Sequence, residues 1–264
     1  MGRLIKYEIK GSYKLFGGLF IIAALLNILL LTRINKWGQE AIIGLFSVIS
    51  IALMVVTLIF VINSFRNDLY EETGYLTFTL PVSGNKILGS KIITGVLWFA
   101  ASTLILFIFL KILLGILFDV DVIEKILLYF NAKEIIVSAL LFGLINLIML
   151  LLMIYFSITL TKVAFKGKRM SKLLGFITFI ILNAVIFYIE YKLIKIFPQT
   201  MDFTLDFLKN AEGSLGSAGT DSEALFSIKN SQLSVNIASL IYNILIYIGL
   251  FKSTAYLMEN KIDI

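Results

Sequence analysis

Six apolar runs, at about 15–32, 41–63, 92–118, 135–161, 173–189 and 233–251, constrain this chain more than any other feature. A bilayer core of about 30 Å needs roughly 20 apolar residues per helix, because each unpaired backbone group in hydrocarbon costs several kcal/mol. Every run meets or approaches that length. Together they use most of the 264 residues, so no soluble domain of useful size remains. A composition that is 59% hydrophobic and 15% charged is too apolar for a protein wetted on all sides. The reading is an all-α membrane protein, a single transmembrane domain over 1–264 with six transmembrane helices.

The residue inventory excludes much chemistry. The chain has no Cys and no His, which removes thiol nucleophiles, disulfides, Cys/His metal sites and His general bases. The nearest approach to a P-loop, Gly167-Lys168, is followed by Arg169, and Lys162 stands where its first Gly belongs. No paired carboxylates lie within the spans, which weakens a proton-coupled transporter and removes an aspartyl intramembrane protease. No catalytic residue, metal site or bound cofactor is expected, and the chain is not expected to be an enzyme by itself.

The net charge of +6 raises nucleic acid as a partner, but the charges sort by membrane side. With the N-terminus inside, fourteen Lys and Arg fall on the inner side and eight on the outer, with Lys111 inside a span. The positive-inside rule therefore predicts both termini in the cytoplasm. Basicity here reports topology and contact with anionic membrane lipids, and no nucleic acid is expected.

Arg3, Lys6, Lys10 and Lys14 recur at steps of three and four beside Ile5, Ile9, Tyr13 and Phe16. That pattern predicts a basic amphipathic interfacial helix over 3–14 that turns into the first span. The eight residues 33–40 make an outer hairpin. The polar stretch 65–91 then interrupts two long apolar runs, with Asp68, Glu71 and Glu72 clustered at its start. Asp68-x-x-Glu71 resembles a capping box, and Gly74 can end a short helix. Tyr75 to Leu80 alternates strictly, which by itself argues for an extended segment. Pro81 stops what precedes it, and Ser83 is placed to N-cap the helix of the third span.

The five basic residues in 162–172 place that loop inside, against anionic lipid. The longest loop, 190–232, is outer. Within it Thr200 to Ala211 reads as a short amphipathic helix and Gly213 to Asp221 as a Gly/Ser turn, in either a lid or a connector. Four asparagines lie inside spans: Asn27, Asn146, Asn183 and Asn243. Buried amides seek partners, so interhelical hydrogen bonding is expected, with a translocation path as the functional alternative.

The order Glu72-Thr73-Gly74-Tyr75-Leu76, then Leu80-Pro81-Val82-Ser83, then Ile87-Leu88 and Lys91, resembles type-2 ABC transporter permeases. The motif covers about 25 residues, and the layout of interfacial helix, six spans and large outer loop is similar to the family throughout. Gly84-Asn85 departs from it where an Arg is common, as does Tyr75 where Thr is frequent.

The resemblance implies a coupling helix at about 68–80, in conflict with the alternation of 75–80. It implies ATPase-coupling roles for Asp68, Glu71, Glu72, Gly74, Tyr75, Leu76, Pro81 and Ser83. It also implies a partner ABC ATPase that binds ATP and Mg, and a second copy or related permease, in a bacterial cytoplasmic membrane. The implied function is export of an amphipathic drug, antimicrobial peptide or lipid-like cargo. The alternative is a non-transporting scaffold or sensor subunit that docks a cytosolic protein through the same loop.

Overall fold

The structure is a computed structural model and describes residues 1–34, 36–70, 82–117, 132–164, 171–204, 226–229 and 232–261. Among these residues the protein is almost entirely helical. Its helices are α1 (Gly2–Leu31), α2 (Gln39–Tyr70), α3 (Gly84–Leu117), α4 (Ala132–Ala164), α5 (Ser171–Ile196) and α6 (Ile237–Asn260). All six are long and apolar enough to cross a membrane. Three short strands, β1 (Thr200–Thr204), β2 (Phe226–Lys229) and β3 (Gln232–Asn236), lie between α5 and α6. The described fold is therefore that of an integral membrane protein.

Two compact units divide the chain, one formed by 1–123 with 255–264 and the other by 124–254. In the first unit, the buried residues of α1 (Phe16, Ala23, Asn27, Leu30) and those of the later turns of α2 (Leu53, Thr57, Val61, Phe65, Leu69) recur every three, four or seven positions. That spacing marks one inward stripe on each helix. The beginning of α3 differs, because Ile87 through Ile92 are buried on every side. The first turns of α3 are thus the enclosed centre of the unit, while its later turns bury only isolated positions such as Ser102 and Leu113.

Packing locks this arrangement at three levels. Phe16 stacks on Trp98 with centroids 4.1 Å apart and planes 6° from parallel, and Phe60 meets Phe16 edge-on at 5.7 Å. The Thr57 and Ser102 hydroxyls share a hydrogen bond of 3.0 Å between α2 and α3. Near the far ends of these helices Leu30, Ile42 and Leu113 form a buried cluster with Phe46 and Ile49 against it.

In the second unit α4 packs on α5, where Thr161 and Thr178 approach to 3.4 Å. β3 is the central strand of an antiparallel sheet of order β1-β3-β2, with Met201 opposite Val235 and Ser227 opposite Ser234. Asn236 ends β3 and starts α6. Its Oδ1 accepts from the Ser239 N–H at 3.0 Å, as an N-cap does, and its Nδ2 donates to the Phe197 carbonyl at 2.8 Å.

Several sequence expectations change here. Residues 3–14 and 15–31 form one uninterrupted helix without the expected turn, because no Pro or capping residue breaks the hydrogen-bond ladder between Lys14 and Leu15. α5 continues past Tyr188 to Ile196, since polar Glu190, Lys192 and Lys195 alter hydropathy but not backbone pairing. Residues 200–204 are a strand where a helix was expected. The Met201, Leu205 and Leu208 spacing carries helical periodicity, but β3 offers Thr200–Thr204 a full set of ladder partners. The rest of that expected helix, and the Gly/Ser turn after it, lie outside the described residues.

Candidate functional site

Three helices converge on one buried amine. Lys91, in the second turn of α3, is 5% exposed, and its Nζ lies 2.7 Å from Glu8 Oε2 on α1 and 2.7 Å from Asp68 Oδ2 near the end of α2. The same amine reaches Ser64 Oγ at 3.2 Å and the Ser64 carbonyl at 3.4 Å. An ammonium has three protons, and both carboxylates plus Ser64 absorb all of them. Charge-assisted bonds of this length are the strong class, and they are what allows a lysine to stay out of water.

The cluster carries one positive and two negative groups. The amine stands between two carboxylates that would repel each other without it. Glu8 and Asp68 are each about one-fifth exposed, so they are screened little.

Helical spacing carries the contact onward. Glu8, Ser12 and Phe16 sit at successive steps of four on α1, and they meet Lys91 and Trp98, two turns apart on α3. Trp98 Nε1 donates to Ser12 Oγ at 3.1 Å, and that hydroxyl donates to the Glu8 carbonyl at 2.8 Å. Gly89 has no side chain, and a Cβ there would lie 2.5 Å from the Met1 methyl. The start of α1 therefore closes over the same turn of α3.

The last turns of α6 complete the surround. Glu259 Oε2 accepts from the Gly84 N–H at 3.3 Å, satisfying one of the orphan donors at the start of α3. Gly84 is also where backbones meet, because a Cβ there would stand 2.6 Å from the Ala255 carbonyl oxygen.

Segment 71–81, which carries most of the expected coupling residues, leaves from the end of α2 and returns at the start of α3. Glu71, Glu72, Gly74, Tyr75, Leu76 and Pro81 lie outside the described residues, as does the conformation of 75–80. Of the remaining two, Ser83 precedes α3 in the N-cap position, and its carbonyl accepts from the Lys86 and Ile87 amides at 2.9 and 3.3 Å. Asp68, expected on an outward charged face, points inward to Lys91. A desolvated ammonium one helix away is a stronger attractor for a carboxylate than water.

The four span asparagines do not behave alike. Asn27 is buried, and its Nδ2 donates to Ala23 O in its own helix at 2.8 Å. Asn146 and Asn183 do the same toward Phe142 O and Phe179 O, each at 2.8 Å. Asn243 alone among the four bonds across helices, donating to Glu190 Oε1 at 2.7 Å. The expectation of interhelical bonding thus holds for one residue. In the other three, a carbonyl four positions back offers an acceptor without any partner helix. Glu190 Oε1 also accepts from the Ser239 hydroxyl, which ties α5 to α6.

Glu8, Ser12, Ser64 and Trp98 are the members of the Lys91 cluster that sequence reasoning missed. One signal was present: Glu8 is the single acid among Arg3, Lys6, Lys10 and Lys14, and it falls on the opposite face of the helix from them. Comparison with family models, with curated proteins and with solved structures finds no match to this chain.

Proposed function

We propose that this chain is the membrane-spanning permease subunit of an ATP-driven ABC transporter, moved by a separate ATPase that grips segment 68–80. The observation that carries the reading is the Lys91 cluster. Asp68 and Lys91 flank the segment on either side and are 2.7 Å apart, and Glu8 adds α1 to the same ion group. A push on 71–81 then loads three spanning helices together, as a coupling element must.

Asp68 takes no part in the docking face on this reading; that role rests with Glu71 and Glu72. Their acidity suits a basic groove on a protein better than an anionic membrane surface. The ATPase holds ATP and Mg. A second copy or a related permease completes the pathway, and the cargo is an amphipathic drug, antimicrobial peptide or lipid-like molecule leaving through a bacterial cytoplasmic membrane.

The test is purification of the tagged chain from its native membrane. An ATPase copurifies with the wild type, and Glu72→Lys abolishes that copurification while membrane insertion is retained. A wild type that brings down no ATPase, or a Glu72→Lys variant that couples normally, overturns the reading.

A further inference from the structure

We propose that the exposed face of α1 is a binding site for an anionic phospholipid, with Lys10 and Lys14 holding the headgroup phosphate and the Gly17-Gly18 gap receiving the top of an acyl chain. The site stands independently of the permease reading.

The face is defined by what it leaves uncovered. Glu8, Ser12 and Phe16 turn toward α3, so the opposite side of α1 carries Arg3, Tyr7, Lys10, Lys14, Gly17, Ile21, Leu25 and Ile28 at steps of three and four. Arg3, Lys10 and Lys14 are exposed, and Ile21, Leu25 and Ile28 are exposed by 63%, 55% and 51%. Between the charged and aliphatic halves, a Cβ added at Gly17 or Gly18 meets nothing within 4 Å. The face therefore runs from cations, across bare backbone, to a hydrocarbon surface.

That order matches the profile of a bilayer, from its headgroups into its hydrocarbon. Residues 15–31 rise about 25 Å at 1.5 Å each, nearly the whole hydrocarbon thickness. Lys14 then falls at the edge of the hydrocarbon and Lys10 about 6 Å beyond it, within the headgroup layer. Two ammonium groups one helical turn apart suit a phosphate diester, and the bare glycines leave room for the first methylenes below it. Arg3 and Lys6 lie farther out, where they attract the surface without fixing a single lipid.

The same face suits a second copy of the chain poorly. A two-fold contact would set Lys10 and Lys14 against their own counterparts, and like charges in an interface are unfavourable.

The test is native mass spectrometry of the full chain released from vesicles of equal phosphatidylglycerol and phosphatidylcholine. The wild type retains phosphatidylglycerol in preference. Lys10→Gln with Lys14→Gln lowers that preference by roughly fivefold for each charge removed. The paired Arg substitutions keep it, which separates charge from misfolding, and Lys111→Gln elsewhere keeps it too. Gly17→Leu with Gly18→Leu, which fills the gap without removing charge, also lowers retention. The proposal is overturned by a wild type without preference, by a Lys10/Lys14 double Gln variant that retains the lipid, or by Lys111→Gln losing it equally. Disulfide-linked dimers through Gly18→Cys in the same vesicles would seat a second copy on the face and overturn it as well.

Discussion

Lys91 Nζ and Asp68 Oδ2 stand 2.7 Å apart across the opening of segment 71–81, and the amine is nearly inaccessible to water. A pair buried to this degree contributes little net stability, but removing one member leaves the rest stranded. Lys91→Met is expected to cost about 3–5 kcal/mol, since Glu8 and Asp68 then face each other unneutralised. The combined variant Glu8→Gln, Asp68→Asn, Lys91→Met recovers much of that loss. Thermal unfolding in detergent reads both, and a single variant as stable as the wild type would show that the ion group is not closed in the membrane-extracted protein.

Trp98 joins α1 to α3 in two ways, by stacking on Phe16 and by donating to Ser12. Trp98→Phe removes the hydrogen bond and keeps a ring, for an expected cost of about 0.5–1.5 kcal/mol. Trp98→Ala also opens a cavity and costs about 3–5 kcal/mol. The ordering of the two variants in denaturant midpoint checks the assignment.

Gly84 and Gly115 stand at opposite ends of α3 and predict opposite results. A Cβ at Gly84 collides with the Ala255 carbonyl, so Gly84→Ala is expected to destabilise by about 1–3 kcal/mol and to loosen the end of α6. A Cβ at Gly115 meets nothing within 4 Å, so Gly115→Ala is neutral or stabilising by up to about 1 kcal/mol. Hydrogen exchange of the amides around 255–260 distinguishes them, with faster exchange in the first variant only.

Glu190 accepts from both Ser239 and Asn243, and Ser239 is fully buried. Glu190→Gln keeps a carbonyl acceptor in place and has a small effect. Glu190→Leu strands the Ser239 and Asn243 donors at an expected cost of about 1–3 kcal/mol. Limited proteolysis within 197–236 is expected to accelerate for the Leu variant alone.

The six spanning helices were legible because hydropathy reports burial in lipid directly. Their ends were less so. The start of α3 at Gly84 was legible from Pro81 and Ser83, whereas the end of α5 was not, because a helix needs paired backbone groups and not an unbroken apolar run. The strands 200–204 and 232–236 were missed since their pairing joins residues 28 to 36 positions apart, and neither segment announces the other. The ion group was half visible: Asp68 stood out as a residue for a partner protein and Lys91 as part of the motif, with nothing to join them. Their meeting depends on how α1, α2 and α3 are rotated against one another, which no local spacing records.

The bond between Gly84 and Glu259 has a bearing on how the protein is made. Its partners are separated by 175 positions. At a synthesis rate of roughly 5–20 residues per second, the start of α3 waits about 10–35 s for its carboxylate. Throughout that interval the first unit exists without its final piece, residues 255–264. A chain that stops before Ala255 should therefore be a better substrate for membrane quality-control proteases than one that continues through Lys261.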